Sequence, residues 1–298
     1  GGCNSDATNR DILHRLEQTE QLCHSLWNLV VKSLAAACCQ EGDLLIFNPL
    51  ATPPRCVIHT TLYSRADNIT LTYQGQPLPF DVLERETLPG GTAISLTCEG
   101  ERETHLPPYF RWHVVLQTPL LPPVGYITVN LKDTPAPFAR TCAAKGEAIE
   151  NTVYRLTLEA GTLVLEDKRN ARRITSLFSL EDCADAGDSY DFSPLAGDEP
   201  TRCAHFTLID CSKTPLCQTM VLEAVMSLPP DLAGRRENTR TPLSMRIVCE
   251  LRHDDPNLHV DSSLVNSHCD HRLRLLINSD ICTRHSLASQ PFSIIERK

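Results

Sequence analysis

The chain has 298 residues, 41% apolar and 22% charged, which excludes a disordered chain and leaves room for two domains of about 100–200 residues each. Its 28 Lys plus Arg against 37 Asp plus Glu leave a net charge of −9, the wrong sign for a general nucleic-acid binder. Aromatic residues are only 5%, too few for a wall of sugar-stacking rings, and no window approaches the roughly 18 apolar residues of a membrane span.

Residues 6 to 38 predict one long helix. Ile12, Leu13, Leu16, Leu22, Leu26, Leu29, Val30 and Leu34 recur at helical spacing, and Ser5 or Asp6 can cap the first free N–H groups. Such a stripe needs cover, so the helix predicts either packing partners or self-association into a homo-oligomer.

After Gly42 the pattern changes to strands. Leu44–Phe47, Cys56–Tyr63, Ile69–Tyr73, Ile94–Cys98, Phe110–Leu116 and Tyr126–Leu131 are apolar or alternating runs. Turn chemistry separates them: Thr52-Pro53-Pro54, Gly75-Gln76-Pro77, Pro89-Gly90-Gly91 and Pro122-Pro123. Strands at this spacing without helices between them predict an all-β sandwich. Residues 132–148, with Pro135 and Pro137, read as a linker. A second β region follows, with Val153–Leu158 and Leu163–Asp167 flanking an Ala160-Gly161 hairpin. Its further strands are His205–Asp210, Gln218–Met226, Met245–Leu251, Leu258–Val265 and Arg272–Asn278. The polar stretch Asp182–Gly197 reads as a loop.

The fourteen cysteines include no Cys-x-x-Cys pair, and Cys56, Cys98 and Cys249 sit inside apolar runs. In a chain this long they favour reduced thiols and a cytoplasmic location over a disulfide framework. The first residues, Gly-Gly-Cys-Asn-Ser-Asp, have neither a signal-peptide pattern nor an initiator Met, as expected of a piece of a longer or processed protein.

Few local strings carry chemistry. His268-Cys269-Asp270-His271 has zinc-ligand residue types, but neighbours in an extended chain point to opposite faces and cannot all converge, which favours a loop leading into a strand. Asp182, Asp185, Asp188 and Asp191 recur every third residue without the ligand order of an EF-hand. Their alternatives are a solvated acidic loop or a surface that meets a polyol, and Tyr190 and Phe192 tilt the choice toward the second. Arg169–Arg173 and Arg235–Arg240 read as solvated basic turns. No nucleophile elbow, zincin motif, P-loop or dinucleotide fingerprint is present.

Several strings in order resemble the glycoside hydrolase family 38 α-mannosidases. Glu150-Asn151-Thr152-Val153-Tyr154, then Gly161-Thr162-Leu163 and Asp167-Lys168-Arg169, are similar to the opening of that family's large β domain. Asp185 to Pro194, with Asp188-Ser189-Tyr190-Asp191-Phe192, resembles a D-x-G-D-E-Y segment of the bacterial branch that includes mannosylglycerate hydrolases. Asp270-His271-Arg272-Leu273-Arg274 and Phe47-Asn48-Pro49 resemble further segments of it.

The resemblance implies a mainly β fold. Residues 1–40 would end a helical-bundle domain, 41–133 form a small β-sandwich domain and 134–148 a linker. Residues 149–298 would be part of a large β-sandwich domain. It also implies a retaining hydrolase of α-mannosides, which needs two carboxylates about 5–5.5 Å apart. In the family these acids, and the divalent metal site (zinc in most members), belong to a barrel that would precede Gly1. No catalytic or metal-ligating residue is therefore expected in this piece, and alone it should be inactive. Tyr190 matches a tyrosine that the family places near substrate, with Asp188 beside it to position the loop. Ser189 stands where the branch often has Glu. The resemblance also makes His271 a structural residue at the start of a strand. A stand-alone carbohydrate-binding β module is the alternative function.

Overall fold

The computed structural model describes residues 6–40, 42–52, 54–134, 144–188 and 191–297. The chain is mainly β, with one long N-terminal helix and several antiparallel sheets. It divides into two compact units, residues 1–144 with Thr214–Cys217, and residues 145–213 with 218–298.

In the first unit, helix α1 runs over Asp6–Cys38, as its periodicity predicts. Its apolar stripe stays exposed: no residue of the helix is buried, and Leu13, Leu16, Leu26 and Leu29 all face solvent. One clear anchor is Trp27, whose ring meets Phe47 edge-on at 6.0 Å. The expected cover is thus not supplied within the described residues of this unit.

Strands β1 (Leu44–Asn48), β2 (Val57–Ser64), β3 (Ile69–Tyr73), β4 (Gln76–Pro77) and β5 (Phe80–Leu88) follow. Next come β6 (Gly91–Thr97), β7 (Gly100–Leu106), β8 (Tyr109–Gln117) and β9 (Gly125–Asp133). One sheet has the order β1-β9-β3-β4 and another β2-β8-β5. Leu62, Trp112, Val114 and Leu116 from the second sheet share a core with Ile69, Leu71, Ile127 and Val129 from the first, so the two form a sandwich. The Trp112 indole N–H donates to Ser64 Oγ at 2.7 Å, which satisfies a buried donor. Asn48 is buried and ties a loop: its amide donates to the carbonyls of Thr52 and Pro122, and its Oδ1 accepts from Leu50 N–H. Buried Asp81 accepts from Leu216 N–H at 2.7 Å, which seats the Thr214–Cys217 turn. The β6–β7 hairpin is exposed along its whole length.

The second unit begins with β10 (Ala144–Lys145), β11 (Ala148–Glu150), β12 (Tyr154–Glu159), β13 (Thr162–Asp167), β14 (Arg172–Ile174) and β15 (Phe178–Ala184). It continues with β16 (Thr201–Cys203), β17 (Thr207–Lys213), β18 (Cys217–Leu228), helix α2 (Leu232–Glu237) and β19 (Thr241–Arg252). The last strands are β20 (Leu258–Leu264), β21 (His271–Ile277), β22 (Ser286–Gln290) and β23 (Ser293–Arg297). Three sheets, ordered β10-β17-β18-β19-β20, β11-β12-β13-β14 and β16-β15-β21, close on one core. Strand β19 alternates as a half-buried strand should, sending Leu243, Met245, Ile247, Cys249 and Leu251 inward. The β12–β13 turn at Ala160-Gly161 has φ of 47° and 80°, the doubly left-handed geometry of a two-residue hairpin.

Sequence patterning located most strands to within a few residues. It missed β5, β7, β15, the hairpin β22–β23 and the two- or three-residue strands β4, β10, β11, β14 and β16. These are short, charged or two-sided segments, such as Gly-Glu-Arg-Glu-Thr-His-Leu in β7, without clean alternation.

Candidate functional site: the loop after strand β15 and its buried support

Strand β15 was expected to be loop from Asp182 onward, yet Asp182 lies inside the strand with its carboxylate fully buried. A buried carboxylate needs partners. Arg235, at the first turns of α2, supplies a guanidinium at 2.5 Å, and His271 supplies its ring Nδ1, also at 2.5 Å. Arg235 is itself only 7% exposed and its other arm reaches Asp198 at 2.9 Å. Asp198 in turn accepts the backbone N–H of Ala184 at 2.7 Å. Arg235 is therefore a buried clamp on two aspartates rather than part of a solvated basic turn. This removes Asp182 from any acidic array with Asp185, Asp188 and Asp191.

His271 opens strand β21, as the resemblance implies. Its Nε2 faces Asn266 Oδ1 at 3.0 Å, an oxygen that also accepts from the His268 N–H. Both ring nitrogens thus face side-chain oxygens, of Asp182 and of Asn266. His268 is buried, with Nε2 at 2.9 Å from Thr241 Oγ1 and Nδ1 at 3.2 Å from Ser267 Oγ. The two rings lie 5.8 Å apart, but their nitrogens are committed elsewhere, and Cys269 is exposed. The His-Cys-Asp-His string does not assemble as a ligand set.

The loop departs from the end of β15. Asp185 fastens it: Oδ1 accepts from Gly187 N–H and from Ser193 N–H, each at 2.9 Å. Ala186 N–H donates to Ser193 carbonyl at 2.7 Å, and Asp185 pairs with Pro194 as an isolated bridge. These N–H donors, with Arg272 nearby, hold the Asp185 carboxyl below its ordinary range. Asp185 N–H donates in turn to Asp270 carbonyl, which ties the loop base to the turn before β21. The guanidinium of Arg272 lies 3.5 Å from the centre of the Phe192 ring, a close cation–π stack. Gly187 is required by space, since a Cβ there would sit 2.0 Å from Asp191 carbonyl oxygen.

Of the two expected substrate-binding residues, Asp188 is exposed, and its Oδ1 accepts Asp191 N–H at 3.2 Å within the loop. Tyr190 lies outside the described residues, as does Ser189. Sequence reasoning missed Arg235 and Asp198 as the loop's support. Arg235 is separated from Asp182 by 53 positions, and no local spacing announces the pair.

Glu181, next to Asp182, lies on the opposite face of the strand and is gripped by Arg202 and Arg274, which hold its carboxyl below the ordinary range. Among the described residues, neither unit taken alone gathers three His, Cys, Asp or Glu ligand atoms for a divalent cation.

No protein-family description matches the chain, and no curated protein matches it in sequence. Solved structures do match. An alpha-mannosidase from Enterococcus faecalis V583 superposes with a TM-score of 0.77 at 17% identity, over 99% of this chain and 38% of that one. The fold is that of part of a family 38 glycosyl hydrolase. A second structure, described as a protein in the glycosyl hydrolase family 38 from Enterococcus faecalis, gives the same TM-score of 0.77 at 16% identity, over 99% of this chain and 40% of that one. The chain spans about two fifths of the length of these glycosyl hydrolases.

Proposed function

We propose that this chain is the β-rich, non-catalytic part of a glycosyl hydrolase that cleaves α-mannosides with retention. The observation that supports the reading most is the likeness to two family 38 structures over 99% of the chain. Two of the strings that resemble the bacterial branch with mannosylglycerate hydrolases, Asp185 to Pro194 and Asp270 to Arg274, add to it, since Asp185 N–H donates to the Asp270 carbonyl and ties the two together.

In this reading the chain completes a sugar site. Tyr190 donates a phenolic hydrogen bond to a sugar oxygen, and Asp188 fixes the loop that carries it. Asp185, through the Gly187 and Ser193 N–H groups, and the Arg272–Phe192 stack fasten the two flanks of that loop. The catalytic carboxylates and the divalent metal, zinc by family resemblance, belong to other polypeptide of the same protein. The described residues do not fit such a metal within either unit, so no step is assigned to it here. A reducing compartment, the cytoplasm, suits the free thiols, and no helix is long and apolar enough to cross a membrane.

Release of nitrophenol from p-nitrophenyl α-mannopyranoside tests the proposal. The 298-residue chain should give none, with or without zinc, and turnover by the chain alone would overturn the non-catalytic assignment. The full-length gene product should turn over, and Tyr190→Phe within it should lower kcat/KM by about tenfold or more, the scale of one lost hydrogen bond to a reacting sugar. An inactive full-length protein, or an unaffected Tyr190→Phe variant, sinks the site assignment.

A further inference from the structure

At one end of the first unit's sandwich the ends of several strands converge on an open cavity of about 850 Å³, within the roughly 300–1,000 Å³ of small-ligand sites. Tyr63 and Arg65 come from the end of β2, Tyr109 from the start of β8, and Lys132 and Asp133 from the end of β9. Tyr63 lies opposite Arg111 in the β2–β8 register, so Tyr109, two residues before Arg111, shares its face. Their rings meet with centroids 6.0 Å apart and planes tilted by 55°. Both remain partly exposed, unlike Leu62 and Trp112, which the same strands send into the core.

The charges here are unequal in their commitments. Asp133 accepts Ala66 N–H at 3.3 Å. Arg65 and Lys132 line the cavity, and neither has a side-chain hydrogen bond or ion pair among the described residues. With Asp133 the only carboxylate beside Arg65 and Lys132 in the cavity lining, the charged groups there leave a small excess of positive charge. The two tilted rings offer apolar surface against which the C–H face of a sugar ring can lie. Ser64 is already used, accepting from Trp112 and donating to Ala66 carbonyl, so it stiffens the floor rather than meeting a ligand.

We infer that this cavity binds an anionic saccharide, its sugar ring against Tyr63 and Tyr109 and its carboxylate or phosphate on Arg65 and Lys132. The site lies wholly in the first unit and stands independently of the proposed mannoside site around Tyr190.

Titration calorimetry of the 298-residue chain tests it, with glucose 6-phosphate, mannose 6-phosphate and glucuronate as probes and with glucose and inorganic phosphate as references. At least one anionic sugar should bind saturably, with each reference about tenfold weaker or more. Affinity should fall with salt, and Arg65→Gln with Lys132→Gln should weaken it by about tenfold. Tyr109→Ala should weaken it similarly, with circular dichroism showing each variant folded. Absence of saturable binding for all three probes overturns the inference. So does unchanged affinity in either variant, and so does phosphate binding as tightly as the sugars, which would make the site a simple anion hole.

Discussion

Arg235 and Asp182 form a buried ion pair at 2.5 Å, the guanidinium 7% exposed and the carboxylate fully enclosed. Such a pair need not add net stability over an apolar replacement, because both charges were taken out of water. Breaking it is a different matter. Arg235→Ala leaves Asp182 enclosed with only His271, and leaves Asp198 without its arginine. The expected loss is about 3–5 kcal/mol. Arg235→Lys keeps the charge but not the two-armed fork, and should recover only part of it. Urea midpoints of the three proteins measure this. A drop below about 1 kcal/mol for Arg235→Ala would mean that the carboxylates find water or another partner.

What sequence could and could not reveal follows from the same pair. Helix α1, the Ala160-Gly161 turn and the inward series of β19 were legible because their signals are local: a 3.6 period, two residues that tolerate left-handed backbone, a strict alternation. The ring at the start of β21 was legible only through resemblance. Arg235 was misread as solvated because its partners arrive from β15 and from the segment before β16, and charge alone cannot announce burial. The loop Asp185–Pro194 was suspected from composition, but its staple could not be foreseen. Both donors to Asp185 are backbone N–H groups, which carry no sequence signature.

Acid should loosen the second unit through carboxylates held below their ordinary range, Glu181 and Asp185 among them. Arg274 and Arg202 hold Glu181 below its ordinary 4.5, and the Ser193 and Gly187 N–H groups hold Asp185 below 3.8. A depressed folded-state value means the native state favours the ionised form. The stabilisation is therefore complete above the ordinary values and fades as pH falls through the folded-state values. Melting temperatures between about pH 6 and pH 3 should fall less steeply in Glu181→Gln and Asp185→Asn than in the parent chain. Parallel slopes in all three would exclude these groups as the source of acid sensitivity.

Thiol reactivity should sort by burial. Cys249 is enclosed in the second core, and burial pushes its thiol up to about 12; Cys211 is shifted the same way. Cys23, Cys98, Cys269 and Cys282 are exposed. Iodoacetamide at neutral pH, followed by peptide mass spectrometry, should alkylate the exposed four within minutes, while Cys249 remains unmodified until urea unfolds the chain. Early modification of Cys249 would show that the second core opens locally, well below the cost of global unfolding.

The β12–β13 turn offers a stability test in both directions. Ala160 and Gly161 both have positive φ, at 47° and 80°, and only glycine adopts that region without strain. Ala160→Gly should therefore gain backbone relief of up to about 1 kcal/mol, partly offset by the greater freedom of its unfolded chain. Gly161→Ala faces two costs. Its φ disfavours any side chain, and the new Cβ would sit 2.0 Å from His205 Nδ1. The ring must swing away, which disturbs the segment whose Phe206 N–H donates to Gly161 carbonyl at 2.7 Å and whose side chain is buried in the core. A loss of about 1–3 kcal/mol is expected for Gly161→Ala in urea denaturation. His205→Ala in the Gly161→Ala background should return the steric share and leave the left-handed share. If the double variant is no more stable than Gly161→Ala alone, the cost is conformational rather than steric.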